Sequence, residues 1–184
     1  MKKLESIIKK GKIIALAGIA SLAIGCASLK HYVEPRVGAI VPVAEKEQDY
    51  KPSLLIGGAY GFNAGKIGFE TSLDYFHSSG EYIQTDSILP RFNVSYSPLK
   101  QTAKVKPYII AGANLLSEFS AIDIPEFDVH DKVSNTTLGV EAGIGATILD
   151  RINSRLVCTW LPTSENVKNM FTLMLGYRLY LDQN

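Results

Sequence analysis

The stretch TTLGVEAGIGATILD, from Thr136 to Asp150, alternates between two kinds of side chain. In a β-strand, successive side chains point to opposite faces. The apolar face would carry Leu138, Val140, Ala142, Ile144, Ala146 and Ile148. The other would carry Thr137, Gly139, Glu141, Gly143, Gly145 and Thr147. Glycine has low strand propensity and no side chain to pack, so this second face is unusual for a water-exposed surface. The pattern predicts a strand on which the glycines leave unfilled space on the face that carries the single carboxylate, Glu141.

The chain has 184 residues and a formal net charge of +1. This length is typical of one domain, and the balanced charge provides no large basic field. We therefore expect no nucleic-acid partner. No residue pattern in the chain calls for a cofactor, and we expect none.

The first 25 residues have the pattern of a bacterial export signal. Lysines at positions 2, 3, 9, 10 and 12 precede an uncharged apolar run from Ile13 to Gly25. A transmembrane helix would need about 20 apolar residues, so this run is too short to span a membrane. We predict a signal peptide over residues 1–25.

The junction LAIGCAS, residues 22–28, resembles the lipobox of bacterial lipoproteins, in which a small residue precedes the cysteine that is acylated. The resemblance implies lipidation at Cys26, followed by a linker over 26–31. The match departs from the usual leucine at Ala23, and an ordinary cleavage site is the alternative. With Cys26 acylated, Cys158 would have no partner, so no structural disulfide is expected.

After residue 31 the chain shows no convincing helical period, and turn-like residues separate eight extended segments. We predict strands over 32–44, 51–62, 66–78, 87–98, 105–117, 136–149, 153–162 and 168–181. Connections at 63–65, 98–104 and 150–152 are short, whereas those at 45–50, 79–86, 118–135 and 163–167 are mostly longer. Transmembrane barrels have this asymmetry between periplasmic turns and extracellular loops. We predict one barrel domain over 32–184.

Charged residues of the predicted strands share the face that carries small residues. They are Glu34, Arg36, Glu70, Asp74, Arg91, Glu141, Arg155 and Arg178. A soluble barrel would expose this face to water, where abundant Lys and Glu are typical, but here isolated charges are spaced by Gly, Ser, Thr and Asn. An arginine facing lipid at the bilayer midplane would cost about 2–4 kcal/mol. The composition therefore predicts an all-β fold, an eight-stranded antiparallel up-and-down transmembrane β-barrel with these charges inside. Aromatic residues near strand ends, such as Phe62, Tyr75, Tyr96 and Trp160, suit interfacial girdles.

This strand pattern over about 32–181 resembles the small eight-stranded outer-membrane barrels of the OmpA, OmpX and OmpW type. The last strand, MLGYRLYL, is similar to the C-terminal assembly signal of such barrels, although it differs from that signal in Met174 and in the ending Asp182-Gln183-Asn184. The resemblance implies location in the bacterial outer membrane, with outer-membrane lipids and the barrel-assembly machinery as partners.

The eight inward charges, four of each sign, form a predicted lumen charge network. An unpaired charge in a narrow lumen is expensive, whereas hydrogen-bonded pairs offset much of the desolvation. We expect a salt-bridged filling in which Glu141 faces Arg91, Arg155 or Arg178. The alternative is a porin-like gate or narrow ion path whose pairs exchange partners.

Two other segments could carry chemistry. His77, with Ser78, Ser79 and nearby Asp74, is the one candidate nucleophilic group, but neighbouring side chains of a strand point apart, so we expect no catalytic residues. The loop 118–135 is acidic but lacks the ligand spacing of an EF-hand, so we expect no metal site. Its interleaved apolar residues make it a candidate contact surface for an extracellular partner, or a portal for apolar molecules.

The sequence therefore predicts a non-enzymatic outer-membrane barrel with a structural or cell-surface interaction role. A narrow channel for ions or small apolar molecules is the second hypothesis. A lipid A-modifying enzyme is the third.

Overall fold

A computed structural model of the chain describes residues 29–44, 52–79, 83–99, 103–124, 129–162 and 167–181. The predicted signal peptide and Cys26 lie outside these residues. Within them, no helix has the length and apolar character needed to cross a membrane.

Eight strands follow one another in the described residues. They are β1 Lys30–Ala44, β2 Ser53–Ala64, β3 Ile67–Ser79, β4 Ile83–Tyr96, β5 Val105–Ile124, β6 Val129–Ile148, β7 Ile152–Trp160 and β8 Val167–Tyr177. Beyond Arg178 the last strand continues as Leu179–Tyr180, which pairs with β1. Each strand pairs antiparallel with the next, and β1 pairs with both β2 and β8, which closes the sheet. The predicted eight-stranded up-and-down barrel is confirmed.

The outer face of the barrel is apolar over a band bounded by polar residues. Its exposed side chains include Leu54, Ile56, Leu73, Phe92, Ile109, Leu138, Ile144, Trp160 and Leu173. On β3 and β4 the band ends at Tyr75 and Ile88, and the next outward residues are His77 and Asp86. On β6 it runs from Ile148 to Leu138, a length of strand that matches the roughly 9–11 residues of a membrane-spanning strand.

The two ends of the barrel differ in their connections. At one end, which we call the short-turn end, β2 and β3 are joined through Gly65, whose φ is +65°, and β6 and β7 through Leu149 and Asp150, whose φ values are 51° and 63°. Glycine adopts this left-handed conformation freely, and aspartate tolerates it better than leucine does. In outer-membrane barrels the short turns face the periplasm.

At the opposite end, two predicted loops are shorter than expected. β4 begins at Ile83, inside the predicted loop 79–86, while β5 continues to Ile124 and β6 begins at Val129, inside the predicted loop 118–135. Pairing runs without interruption from Leu116 with Thr137 to Ile124 with Val129. The predicted bounds of both loops were too wide because strand ends were inferred from alternating hydrophobicity. That alternation disappears where both faces of a hairpin meet water.

The lumen is filled by side chains in two zones. Toward the end opposite the short turns, which we call the long-loop end, lie buried apolar residues that we call the apolar plug: Ile40, Leu55, Phe76, Leu89, Leu116, Leu161 and Met170. Four more members of the same buried cluster, Tyr108, Ile110, Val157 and Met174, lie lower, among the polar side chains. Below the apolar plug, two residues further along the same strands, lie buried polar groups such as Asp74 below Phe76 and Arg91 below Leu89. Expectations from sequence concerned only the polar zone, although the same alternation directs the plug residues inward.

Candidate functional site

The eight charges assigned to the lumen all lie inside the barrel. Each is at most 8% exposed, and no other charged side chain in the described part of the chain is buried. They are joined into one chain of alternating sign, which we call the charge chain: Arg178, Glu34, Arg155, Glu70, Arg36, Asp74, Arg91 and Glu141.

The half of the charge chain nearer the short-turn end is centred on Arg155. Arg178 donates from Nε to Glu34 Oε2 at 2.8 Å, and Arg155 donates from Nη2 to Glu34 Oε1 at 2.6 Å. The same Nη2 lies 2.9 Å from Glu70 Oε2. Arg155 on β7 therefore joins Glu34, two strands away on β1, to Glu70 on β3, the strand opposite β7 in the closed sheet.

The other half continues toward the apolar plug. Arg36 donates to Glu70 Oε1 at 3.0 Å and binds Asp74 through two parallel bonds of 2.7 and 2.6 Å. Arg91 then donates from Nε to Asp74 Oδ2 at 2.9 Å and from Nη1 to Glu141 Oε2 at 2.7 Å. Of the three arginines that sequence left open as partners of Glu141, the structure places Arg91 there.

Neutral side chains add further hydrogen bonds to the charge chain, although Glu141 Oε1 and Arg155 Nε have no hydrogen-bond partner among the described residues. Asn153 donates to both oxygens of Glu34 at 2.9 Å, and Tyr32 donates to Glu70 Oε2 at 3.2 Å. Asn114 donates to Glu141 Oε2 at 2.9 Å. The guanidinium of Arg178 lies 4.4 Å from the ring centroid of Tyr32, a cation–π contact. Sequence reasoning did not assign these residues a role, although their inward parity on the strands was a usable signal.

The glycines of the opening stretch accommodate large neighbours on β5. A Cβ at Gly139 would lie 2.5 Å from Asn114 Oδ1, and a Cβ at Gly145 would collide with the ring end of Tyr108. Real Cβ atoms do not approach so closely. The space left by the glycines is therefore occupied by the amide that binds Glu141 and by an aromatic ring, whose hydroxyl donates to Asn153 Oδ1 at 2.7 Å.

In chemical terms the charge chain is a balanced set of four cations and four anions held by short, charge-assisted hydrogen bonds. Removing one member of a buried pair is strongly destabilising because the other is left uncompensated. The arrangement rigidifies the lumen, and the apolar plug closes it toward the long-loop end. Both features favour the filled-lumen expectation over an open ion path.

The candidate nucleophilic group around His77 does not assemble. Asp74 is inside the lumen, where its carboxylate accepts hydrogen bonds from Arg36 and Arg91, whereas His77 is on the outer face. His77 Nδ1 instead lies 3.0 Å from Asp86 Oδ1, and Tyr75 donates to the same oxygen at 2.6 Å. These hydrogen bonds, from Tyr75 and then from His77, hold the pKa of Asp86 below its usual range, just outside the apolar band.

No group of three or more His, Cys, Asp or Glu in the described residues could hold a metal ion. Cys158 is a free thiol exposed on the apolar outer face, where parity places it beside Leu156 and Trp160.

Solved structures of other bacterial outer-membrane proteins share the fold described above, and three of them illustrate the similarity. Neisserial surface protein A (NspA) is 14% identical over 83% of this chain and 99% of that one, with a TM-score of 0.59. A major outer membrane protein from Thermus thermophilus is 11% identical over 82% of this chain and 99% of that one, with a TM-score of 0.55. Ail, the attachment invasion locus protein of Yersinia pestis, solved with the heparin analogue sucrose octasulfate, is 13% identical over 83% of this chain and 100% of that one, with a TM-score of 0.52.

The chain is a small eight-stranded outer-membrane β-barrel. The apolar band, the polar lumen and the fold shared with these bacterial barrels confirm the predicted resemblance and the predicted location in the bacterial outer membrane. No family model and no curated protein matches the chain, so the similarity concerns the fold alone.

Proposed function

We propose that this outer-membrane barrel is a non-enzymatic surface protein whose protruding β5–β6 hairpin docks an extended segment of an extracellular protein. The observation that carries this proposal is the outer edge of β6, where residues 129–139 pair with no described strand other than β5. Outer-membrane lipids would cover the apolar band, and the barrel-assembly machinery would recognise β8 during insertion. Cys26 would add a lipid anchor on the periplasmic side.

The hairpin continues well beyond the membrane band. Nine residue pairs, from Leu116 with Thr137 to Ile124 with Val129, follow the last band pair, Leu115 with Leu138. At about 3.4 Å per residue, this is up to about 30 Å of strand. On its other edge, β5 pairs with β4, and this pairing extends as far as Ile83 with Ile122.

The β6 side of the hairpin is open in the described residues. Pairing of β6 with β7 begins only at Val140 with Trp160, so residues 129–139 pair with β5 alone. The side chains from Asp131 to Thr136 are exposed. A long edge with free N–H and C=O groups is a template for strand addition by a partner, which gains affinity from main-chain hydrogen bonds.

A surface role is in keeping with the comparison proteins. Ail is solved with a heparin analogue, and NspA is described as a surface protein. For the present chain, an extended protein segment is favoured over a sulfated sugar because the hairpin presents backbone groups and few cations.

The test compares cells that display the full barrel with cells displaying a variant in which residues 120–133 are replaced by a short glycine linker. We expect the full barrel, and not the hairpin variant, to confer saturable binding to one or more immobilised serum or matrix proteins. A matched control shortens the connection 45–50 and should retain binding. Heat-modifiable gel migration verifies that each barrel is folded. Equal binding by the hairpin variant, or none by the full barrel above empty cells, would contradict the proposal.

The two alternative functions have less support. A narrow channel would need a continuous path, whereas the apolar plug and the charge chain occupy the lumen; planar-bilayer recordings should therefore show no steady conductance. A lipid A-modifying enzyme would need His77 and Asp74 on one face, and they lie on opposite faces. Unchanged lipid A mass spectra after overexpression would be the expected result.

A further inference from the structure

A cavity of about 430 Å³ opens at the short-turn end of the barrel. It lies between the turn at Gly65, the segment around Ser97 and the turn at Asp150. Arg178, the first member of the charge chain, is one of its buried lining residues. The charge chain and the apolar plug fill the rest of the lumen, so the cavity is blind and opens toward the periplasm.

The charges that line this cavity are mostly positive. Lys30, Lys66, Lys106 and Arg178 contribute cations, and Asp150 is the one carboxylate among the lining residues. Lys106 pairs with Asp150, and Arg178 pairs with Glu34 beneath it. Lys30 and Lys66 are exposed, and neither forms an ion pair with another described residue. The cavity therefore retains the positive charge of these two lysines.

The walls of the cavity add aromatic and hydrogen-bonding groups. Tyr108 and Tyr180 line it together with Asn63 and Ser95. Tyr108 is held in place by its bond to Asn153, and the ring of Tyr180 lies 6.1 Å from that of Tyr32 in an edge-to-face arrangement. The volume falls in the range of small-molecule sites, about 300–1,000 Å³, and exceeds the needs of a bare ion.

We propose that this cavity is a binding site for a phosphate-bearing anion, with the exposed Lys30 and Lys66, the buried Arg178 and the two tyrosines as the groups that contact it. Lysine is a common phosphate ligand and acts as a point charge, while a buried arginine adds directional donors. The short-turn end also lies at the level of the inner-leaflet headgroups, where anionic lipids attract basic residues. A soluble phosphate compound and a lipid headgroup share this chemistry.

The experiment uses the full chain refolded in nonionic detergent and phosphate-free buffer, with inorganic phosphate as the probe. Backbone amide chemical shifts of Gly68 and Ser95, which line the cavity, report binding, and those of Ser134 on the hairpin serve as a reference. A second arm places the protein in phosphatidylcholine nanodiscs with and without phosphatidylglycerol. Saturable shifts with phosphate indicate a soluble ligand, and shifts only with phosphatidylglycerol indicate a headgroup; either result supports the site.

The variant Lys30→Gln with Lys66→Gln should weaken binding at least about tenfold, because charge-assisted contacts are lost. The matched control, Lys104→Gln with Lys132→Gln, removes the same charge from lysines that do not line the cavity and should leave the affinity unchanged. Both pairs are on the surface, and heat-modifiable migration verifies folding. The proposal is overturned if neither arm shows saturable shifts, or if the control weakens binding as much as the cavity variant.

Discussion

Replacing Arg91 by methionine should lower the free energy of unfolding of the barrel. The expected decrease is larger than the lost side-chain contact area alone would cause. Arg91 is fully buried and bridges Asp74 and Glu141. Methionine retains an unbranched chain about as long as the arginine stem as far as Nε, and it removes the rest of the guanidinium with its charge. The two carboxylates respond differently, because only one of them has a second arginine.

The expected magnitude follows from the partners that remain. Asp74 keeps both bonds from Arg36, at 2.7 and 2.6 Å. Glu141 keeps only neutral donors, Asn114 at 2.9 Å and Thr159 at 3.4 Å. An uncompensated buried charge costs about 3–5 kcal/mol, so we expect Arg91→Met to lower the free energy of unfolding by about this amount.

The matched variants are Glu141→Gln and the double variant. Glu141→Gln leaves Arg91 paired with Asp74 and loses one charge-assisted hydrogen bond, for which we expect about 1.5–3 kcal/mol. The double variant leaves three cations and three anions in the lumen with no unpaired charge. It should therefore be less destabilised than the sum of the single variants, by at least about 1 kcal/mol of coupling.

Equilibrium unfolding in urea, with the barrel refolded in lipid vesicles, measures these free energies. Trp160 is the one tryptophan in the sequence and serves as the fluorescence reporter, with heat-modifiable migration as a second probe. A cost below about 1 kcal/mol for Arg91→Met, or strict additivity in the double variant, would refute the reasoning. Either result would mean that water screens the charge chain.

Three further predictions concern other parts of the barrel. Brominated lipid chains should quench Trp160, and a charged maleimide should label Cys158 only after unfolding, because both side chains face the apolar band. Gly145→Val should cost about 1–3 kcal/mol in a urea titration, since its side chain would displace the ring of Tyr108. Glu118 lies beyond the band, and burial raises its pKa, so folding favours the protonated carboxyl group. The stability that Glu118 contributes is therefore present at acidic pH and is lost as the pH rises through the folded-state pKa. Glu118→Gln should remove that part of the pH dependence of the urea midpoint.

The alternation of side chains between the two faces of each strand was enough to predict the barrel fold and most of its lipid-facing and lumen-facing residues. A single inward charge such as Arg91 determines the parity of its whole strand, and every other residue is then assigned to lipid or lumen. The resulting faces agree with the structure on β1, β3, β4, β6 and β8. Alternation could not locate the outer ends of β5 and β6, because beyond the band neither face is in lipid and the hydrophobic pattern ends before the hydrogen bonding does.

The partners within the lumen could not be read from the sequence. Arg91 and Glu141 lie on strands separated by β5, so no cross-strand pairing rule joins them. Their contact depends on side chains that reach across a closed barrel, and hence on its diameter and stagger. The same limit applies to the cavity at the short-turn end, where lysines from separate strands and turns converge only after the sheet has closed.

The position of Glu141 at the end of the charge chain explains the composition of its own strand. Each interior member has opposite charges on both sides, whereas Glu141 has only Arg91 and needs neutral donors. Asn114 supplies one of them from the neighbouring strand and fits there because Gly139 has no side chain. Beyond Glu141 the apolar plug begins, where no further charge could be compensated. The carboxylate and the glycines around it are therefore consequences of one constraint, which is that a closed lumen of eight strands must be filled with every charge paired.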